Sequence, residues 1–265
     1  MKHKMSSEFI FQLFALLIAV IVVHAAYVGV IRPSADAQLQ RQMEMQASGI
    51  DFVPERTLTI VIRDFEQETC FILLIWALAI MAYKGRRTLM ENKILERRLL
   101  DIPEGTSVLP EDARVYSRSL EALPEEEQDM LLPRTLLSAL QRFATTGSIQ
   151  AVSDTIKESC DIESDRLDTE LSMVRYIAWA IPSIGFIGTV RGIGDALGQA
   201  YKAVEGDISG VTVSLGVAFN STFVALVLSI VIMFCLHQLQ LSQERLVLDS
   251  QRYADKRLMR FLVTK

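Results

Sequence analysis

The sequence predicts an all-α membrane protein with four transmembrane helices, and three observations carry that prediction. Half of the 265 residues are hydrophobic and 22% are charged, with a mean hydropathy of +0.27, so the apolar residues must be concentrated in blocks. Four such blocks approach the roughly 20 apolar residues that a membrane-crossing helix needs. Seven prolines and thirteen glycines interrupt the chain, few enough to favour long helices over many short strands.

Composition also excludes several classes of protein. The net charge of -5 is unlike the basic footprint of a nucleic-acid-binding protein, and the apolar content excludes a disordered chain or a collagen-like fibre. The three cysteines, Cys70, Cys160 and Cys235, are odd in number and far apart, so they form neither a disulfide framework nor a metal-binding pair. We expect each to be a small apolar residue.

The four blocks define the predicted organisation of the chain. The second block is the shortest, but Phe65, Trp76 and Tyr83 extend its apolar path. The predicted spans are residues 9–31, 70–83, 173–200 and 211–237. Around them we expect a cytoplasmic N-terminus at residues 1–8, an outer segment at 32–69, a cytoplasmic helical domain at 84–172, an outer loop at 201–210 and a cytoplasmic C-terminal helix at 238–265.

Basic residues next to the span ends predict the orientation, because Lys and Arg are retained on the cytoplasmic side. Lys84, Arg86 and Arg87 directly follow the second span, and further basic residues lie at the start of the chain and after the fourth span. Both termini are therefore expected to be cytoplasmic. An alternative for the first block is a cleaved signal peptide, since Val23-His24-Ala25 resembles a cleavage site; cleavage would leave three spans with the same inner and outer faces.

Between the second and third spans the pattern predicts three helical runs. Apolar residues at helical spacing continue the second span to about Leu100, where Pro103, Gly105 and Pro110 end the helix. A second run begins near Pro124, where three glutamates suit a helix N-terminus, and continues through Phe143. A third run, Ile149 to Ser172, leads directly into the third span. The charged side chains of these runs are expected to form solvated faces and i,i+4 pairs.

Motifs of soluble enzymes are absent from the sequence. It contains no G-x-x-x-x-G-K, no G-x-S-x-G and no H-E-x-x-H, and its three histidines lie near three different span ends. We therefore expect no enzyme activity, no cofactor and no bound metal.

The third and fourth spans carry small and weakly polar residues along one face each. In the third span, Gly185, Gly188, Thr189 and Gly192 share a face that allows another helix to approach closely. Ordinary packing between membrane helices explains the glycines equally well. The fourth span carries a similar face, formed by Ser214, Ala218, Ser221, Thr222, Ala225 and Ser229.

Thr189 and Thr222 lie at similar depth on consecutive antiparallel helices, which suggests a shared polar path across the membrane. The alternative is that these hydroxyls bond to carbonyls one turn earlier in their own helices. No Asp, Glu or Lys lies in the middle of any span, so a carboxylate on the path has to come from another polypeptide. Arg191 and Asp195, four residues apart, are expected to pair or to reach the headgroups.

Two motifs in these spans resemble the MotA/TolQ/ExbB proton channel family. The first is Pro182-x-x-Gly185-x-x-Gly188-Thr189-Val190-x-Gly192, and the second is Ala218-Phe219-Asn220-Ser221-Thr222. The resemblance is strong over Met173 to Leu239, reduces to a pattern of long helices over Lys84 to Ser172, and concerns topology alone before Phe65.

The resemblance implies a bacterial inner-membrane motor. Five copies of the chain would form a homopentamer around two copies of a single-span partner of the MotB/TolR/ExbD kind, whose membrane Asp carries the ion, H+ or Na+. Ion flow would drive rotation of the ring, the stator of the machine. By the same resemblance Thr189, Thr222, Ser221 and Ser214 would line the ion path, Pro182 would kink the third span, and Gly185, Gly188 and Gly192 would pack helices.

Departures from the family pattern leave the subfamily open. TolQ and ExbB commonly carry a Glu five places before the threonine of the last span, where this chain has Val217, and usually have three spans. The predicted four spans are more like MotA. Rival functions are a non-conducting scaffold that anchors a partner helix, and a membrane enzyme or sensor acting through residues 84–172.

Overall fold

The computed structural model describes residues 2–47, 57–103 and 105–264, and within them the chain is helical, without β-strands. In these residues four continuous helical stretches are long and apolar enough to cross a membrane. The prediction of an all-α protein with four transmembrane helices is therefore confirmed. The four stretches are Glu8–Gln42, Phe65–Leu95, Ile149–Gly198 and Ser209–Phe261.

The chain divides into two compact units. The spanning unit comprises Met1–Ala82 and Met173–Leu236, and the helical domain comprises Tyr83–Ser172 and His237–Lys265.

The first helical stretch continues well beyond residue 31, where the sequence predicts the end of the first span. Helix α1 (Lys2–Ala26) passes through a π-helical turn at Tyr27–Ile31 into α2 (Arg32–Ala47). In that turn the Arg32 N–H bonds to the Tyr27 carbonyl, five residues back. The wider turn ends two residues before Pro33, which has no N–H to donate to the helix. Part of the predicted outer segment, residues 32–69, is thus helical: α2, the short α3 (Leu58–Val61) and the start of the next helix, with residues 48–56 outside the described part.

Helix α4 (Phe65–Leu95) contains the second span and continues into the helical domain. It is longer at its start than the predicted span of residues 70–83. The prediction that it reaches Leu100 is wrong by five residues. Leu99 and Leu100 are buried in the domain core, and the Leu99 N–H bonds to the Tyr253 hydroxyl at 2.9 Å instead of to a helical carbonyl.

Two long helices supply the remaining spans. Helix α9 (Ser172–Gly198) is followed by a short helix, α10 (Ala200–Val204). Most of α10 lies in residues 201–210, for which the sequence predicts a loop without helix. Helix α11 (Ser209–Arg257) then runs without a break through both the predicted span, residues 211–237, and most of the predicted C-terminal helix.

The helical domain contains one helix that the sequence pattern missed. Helix α5 (Ala113–Glu121) lies between two prolines and buries Ala113, Ser117 and Leu120, a narrow face of mostly small residues. The predicted run from Pro124 is interrupted at Met130, which separates the one-turn α6 (Glu125–Gln128) from α7 (Leu131–Thr146).

Helix α8 (Ile149–Glu170) occupies the third predicted run. Ser148 caps its start by accepting a hydrogen bond from the Ala151 N–H at 3.3 Å. At Leu171 the helical hydrogen bonding changes for one residue before α9 begins, so the prediction that this run leads directly into the third span holds. The domain core is apolar and includes Leu136, Leu140, Phe143, Val152 and Ile156.

A network of buried ion pairs stabilises the helical domain. Lys84, 3% exposed, donates to a carboxylate oxygen of Glu170 at 2.7 Å, and Arg166 bonds to the other oxygen at 2.9 Å. Arg166 also reaches Glu163, as does Arg134 at 2.8 Å. Because each buried carboxylate has two basic partners, the cost of removing these charges from water is offset.

Candidate functional site

Thr189 of α9 and Thr222 of α11 meet side by side in the spanning unit. Their hydroxyl oxygens are in direct contact. The Thr189 hydroxyl lies 3.1 Å from the Ala218 carbonyl and 3.3 Å from the Gly185 carbonyl, and the Thr222 hydroxyl lies 3.1 Å from the same Gly185 carbonyl. Both side chains are half-buried. The structure thus brings together the two residues that the sequence placed at similar depth, and each turns toward the neighbouring helix.

The two threonine hydroxyls can accept more hydrogen bonds than they receive from this chain. Two hydroxyls supply two protons, and the nearby carbonyls of Gly185 and Ala218 can accept both. Each hydroxyl oxygen also has two lone pairs. When both protons point to carbonyls, the lone pairs remain for an external donor such as water, a protonated carboxyl group or a cation.

Glycines of α9 allow the close contact with α11 that forms this site. A Cβ atom at Gly188 would lie 2.5 Å from the Ser221 Cβ, and one at Gly192 would lie 2.8 Å from both the Ala218 Cβ and its backbone nitrogen. Real Cβ atoms do not approach other atoms so closely. Small residues on both helices therefore let the two backbones come together, as in other packed membrane helices.

The two predicted serines occupy different surroundings from the threonine pair. Ser221 is buried against Gly188 and donates its hydroxyl to the Val217 carbonyl of its own helix at 2.9 Å. Ser214 is buried nearer the start of α11, where the Gln199 amide donates to its hydroxyl at 3.1 Å. Of the four predicted ion-path residues, only the two threonines are thus brought together.

Pro182 lies inside α9 and leaves the Ala178 carbonyl without its usual backbone donor. Ser229 of α11 donates its hydroxyl to that carbonyl at 3.1 Å. Together with the glycine contacts, this bond makes the small-residue faces of α9 and α11 one continuous contact within a single chain.

A second polar cluster of the spanning unit was missed by the sequence reasoning. Glu68, 6% exposed, bonds to Arg32 and lies 2.7 Å from Nδ1 of His24. Arg32 also stacks on the Phe65 ring at 4.3 Å. Glu68 precedes the predicted second span by two residues and was counted with the outer segment, so nothing in the sequence pattern indicated its burial.

Arg191 has a closer partner than the one predicted from the sequence. Its guanidinium forms two hydrogen bonds with Glu66, at 2.7 and 2.9 Å, whereas Asp195 lies 3.7 Å away. Glu66 is 125 residues distant in the chain, so local spacing could not reveal the pair. Nearby, between α3 and α4, burial raises the pKa of Asp64 even though Arg63 and Arg191 act in the opposite direction.

The described residues contain no group of three or more His, Cys, Asp or Glu side chains arranged to hold a metal ion. The candidate site consists of hydroxyls and backbone carbonyls, which can accept and pass on a proton or coordinate a small cation.

Comparison with known proteins agrees with the motif resemblance. The model of the MotA/TolQ/ExbB proton channel family matches residues 127–252, which include α7, α8, α9 and most of α11. The match therefore extends into the helical domain, beyond the segment where the motifs are strongest. No curated protein and no solved structure matches the chain. Over residues 127–252 the chain is therefore similar to the MotA/TolQ/ExbB proton channel family.

Proposed function

We propose that this chain is the channel-forming stator subunit of an ion-driven motor in the bacterial inner membrane. Five copies surround two copies of a single-span partner of the MotB/TolR/ExbD kind, and ion flow between them drives motion of one component against the other. The family match over residues 127–252 supports the coarse function, because this is a family of proton channels and not of enzymes. The four spanning helices support a multi-pass membrane protein.

The threonine pair is the observation that carries the proposal. Thr189 and Thr222 come from different helices, meet at one level, and remain half-buried in the single chain. Their lone pairs are available to a group that approaches from outside the chain. A protonated Asp on a partner helix has the chemistry to donate to them, and the loss of its proton would weaken that contact.

The chain itself supplies no acidic side chain in the middle of a span. Ionisable groups inside a bilayer are expensive and mark ion routes. A subunit that provides hydroxyls while its partner provides the carboxylate is consistent with both facts. Hydroxyl and carboxylate oxygens bind Na+ as well as they pass H+, so the proposal covers either ion, and it requires no further cofactor.

The first test replaces the two threonines one at a time. Thr189→Val and Thr222→Val keep the side-chain shape and remove the hydroxyl. Thr212→Val is the matched control, because Thr212 lies in the first turn of α11, is exposed, and donates its hydroxyl to the Ile208 carbonyl just before that helix at 3.0 Å. Ion uptake is measured in cells that express the chain with its partner, and assembly is checked on native gels.

The scaffold alternative predicts a different result from the same experiment. If the chain conducts, both site variants assemble normally and lose most of their ion uptake, while Thr212→Val conducts like the parent. If the small-residue faces merely hold a partner helix, uptake is unchanged in the site variants. That second result would overturn the proposed function.

A further inference from the structure

Helix α8 presents an unusual acidic face on the outside of the helical domain. Its inner face, with Val152, Ile156 and Cys160, is buried. The residues of the opposite face are exposed. Four of them are three or four positions apart, so they follow one another in a single line along the helix. We name the acidic stripe by its four members, Asp154, Glu158, Ile162 and Asp165.

This stripe is not neutralised within the described part of the chain. Asp154, Glu158 and Asp165 form no ion pair there. Asp154 and Glu158 are four residues apart, a spacing at which like charges on a helix are destabilising. Ile162 lies among them with 59% of its surface exposed. An acidic line with an exposed aliphatic side chain is suited to a basic surface that carries an apolar residue of its own.

Helix α11 has such a surface in the same domain. Its inner face is buried through Leu246, Ser250 and Ala254. On the opposite side, Arg245, Asp249, Arg252 and Lys256 line one wall of an open groove of about 760 Å³, whose other wall is the end of α4. Leu248 is exposed beside this wall, and we name the basic stripe by the four exposed residues Arg245, Leu248, Arg252 and Lys256.

The two stripes have the same spacing in opposite chain directions. Going down the acidic stripe from Asp165, successive members are three, four and four residues apart, and going up the basic stripe from Arg245 the intervals are identical. Antiparallel alignment therefore pairs every member. Asp165 then faces Arg245, Ile162 faces Leu248, Glu158 faces Arg252, and Asp154 faces Lys256.

The distances from the spanning unit along the two helices agree with this register to within one residue. Asp165 lies eight residues before that unit resumes at Met173, and Arg245 lies nine residues after it ends at Leu236. Copies of a membrane protein lie side by side in one bilayer, so residues about equally far along the chain from the spans of two copies can meet. One like-charge position, Asp161 opposite Asp249, remains in this register, and Asp249 is bonded to Arg252 of its own chain at 3.3 Å.

We propose that the acidic stripe on α8 of one copy docks against the basic stripe on α11 of the next copy. Within a single domain the two stripes lie on outward faces, so the contact joins neighbours head to tail and leaves each copy with one free stripe for the following neighbour. Charge complementarity and the Ile162–Leu248 contact set the register. The inference rests on the proposed multi-copy assembly. The residues of the two stripes lie in the helical domain and are not part of the proposed ion path.

The test uses disulfide crosslinking of full-length chains in membranes. Two chains with different affinity tags are co-expressed, one carrying Asp165→Cys and the other Arg245→Cys, both in a Cys235→Ala background. The expected result is a mixed disulfide dimer on mild oxidation. Asp165→Cys combined with Lys256→Cys is the control, because these positions are eleven residues out of register, about 16 Å along a helix.

Charge exchange provides an independent measurement. Arg245→Glu alone and Asp165→Arg alone are expected to shift the purified chain toward smaller oligomers on native gels, and the two changes together in one chain are expected to restore the parent pattern. Absence of mixed dimers, or equal crosslinking of the out-of-register pair, would overturn the docking inference. An acidic protein or lipid as the true occupant would give the same negative result, since only this chain carries the cysteines.

Failure of this inference can be told apart from failure of the proposed function. A complex that conducts ions in a threonine-dependent way but forms no mixed dimers contradicts the docking surface alone. Chains that crosslink in register but show no ion uptake contradict the channel alone.

Discussion

Ser229 replaces a hydrogen-bond donor that Pro182 cannot supply. The Pro182 nitrogen has no hydrogen, so the Ala178 carbonyl lacks its helical donor. The Ser229 hydroxyl of α11 donates a hydrogen bond to that carbonyl at 3.1 Å instead. In a bilayer no water competes for an open carbonyl. A proline on one helix and a serine on the next therefore act as a matched pair that fixes how the two spans pack.

The value of this pair can be measured with a double-mutant cycle. Ser229→Ala in the parent leaves the Ala178 carbonyl open and should lower the free energy of unfolding by about 1 kcal/mol, the usual size of a hydrogen bond between membrane helices. In a Pro182→Ala background the restored N–H of residue 182 bonds to Ala178, so the same serine change should cost almost nothing. Unfolding in detergent micelles gives both values, and equal costs in the two backgrounds would contradict the pairing.

Helix contact at Gly192 should be intolerant of a single methyl group. Gly192→Ala places its Cβ 2.8 Å from Ala218 and from the Ser214 carbonyl, and backbone atoms cannot move aside cheaply. We expect a loss of about 1–3 kcal/mol from overpacking.

Gly194→Ala is the matched control on the same helix. A Cβ there meets no atom within 4 Å among the described residues outside its own helical turns, and alanine favours the helix more than glycine does. Thermal unfolding of the detergent-solubilised variants should show a lower midpoint for the first and an unchanged or higher one for the second. Equal midpoints would indicate that α9 and α11 are not in close contact at Gly192.

Acid should destabilise the helical domain through Glu170. Burial acts to raise the pKa of this carboxyl, but the hydrogen bond and charge of Lys84, together with Arg166, hold the pKa below its usual value. A carboxyl whose folded pKa is depressed contributes stability above the unfolded pKa of about 4.3, and that contribution disappears as the pH falls through the lower folded pKa.

The measurement is the free energy of unfolding between neutral pH and about pH 3 for the parent and Glu170→Gln. The parent should lose stability over this range, and the variant should be less stable at neutral pH and less sensitive to acid. Glu126→Gln, an exposed position without an ion pair, serves as the control and should follow the parent. An identical pH dependence in the parent and Glu170→Gln would contradict the assignment.

Cys160 should be unreactive while the domain is folded. Burial, followed by the nearby charges of Asp161, Asp255 and Glu163, raises the pKa of its thiol to about 11. Thiolate is the reactive form, and at pH 8 it would be roughly a thousandth of the total. Maleimide labelling should be slow in buffer and fast in denaturant, whereas Gln141→Cys, at an exposed position of α7, in a Cys160→Ala background should label quickly in both. Rapid labelling of Cys160 in buffer would show that the thiol is accessible.

Much of this architecture follows from the sequence because it depends on local periodicity. The apolar blocks and the scarcity of proline predicted four long helices, and the equivalent placement of Thr189 and Thr222 predicted their approach. Helix α5 was missed because it is short and Leu120 is the one large apolar residue on its buried face, beside Ala113 and Ser117, which gives little periodic signal. The end of α4 was misplaced because Leu99 and Leu100 have a helical spacing but pack into the domain core from an irregular segment.

Contacts between distant residues could not be predicted from the sequence. Glu66 and Arg191 are 125 residues apart, and Ser229 and Ala178 are 51 apart. Each pair depends on the exact rotation of two helices, which periodicity does not determine. The same limit explains why Ser221, next to Thr222 in sequence, was grouped with it although its hydroxyl bonds within its own helix.

Ion flux through the reconstituted complex tests the central claim most directly. The chain and its partner are placed in liposomes with a pH-sensitive dye inside, and uptake is compared among the parent, the Thr189→Ser/Thr222→Ser double variant and the Thr189→Val/Thr222→Val double variant. We predict that the serine variant retains uptake, because it keeps both hydroxyls, and that the valine variant loses it while assembling normally. Uptake by an assembled valine variant at the parent rate would contradict an ion path through the threonine pair.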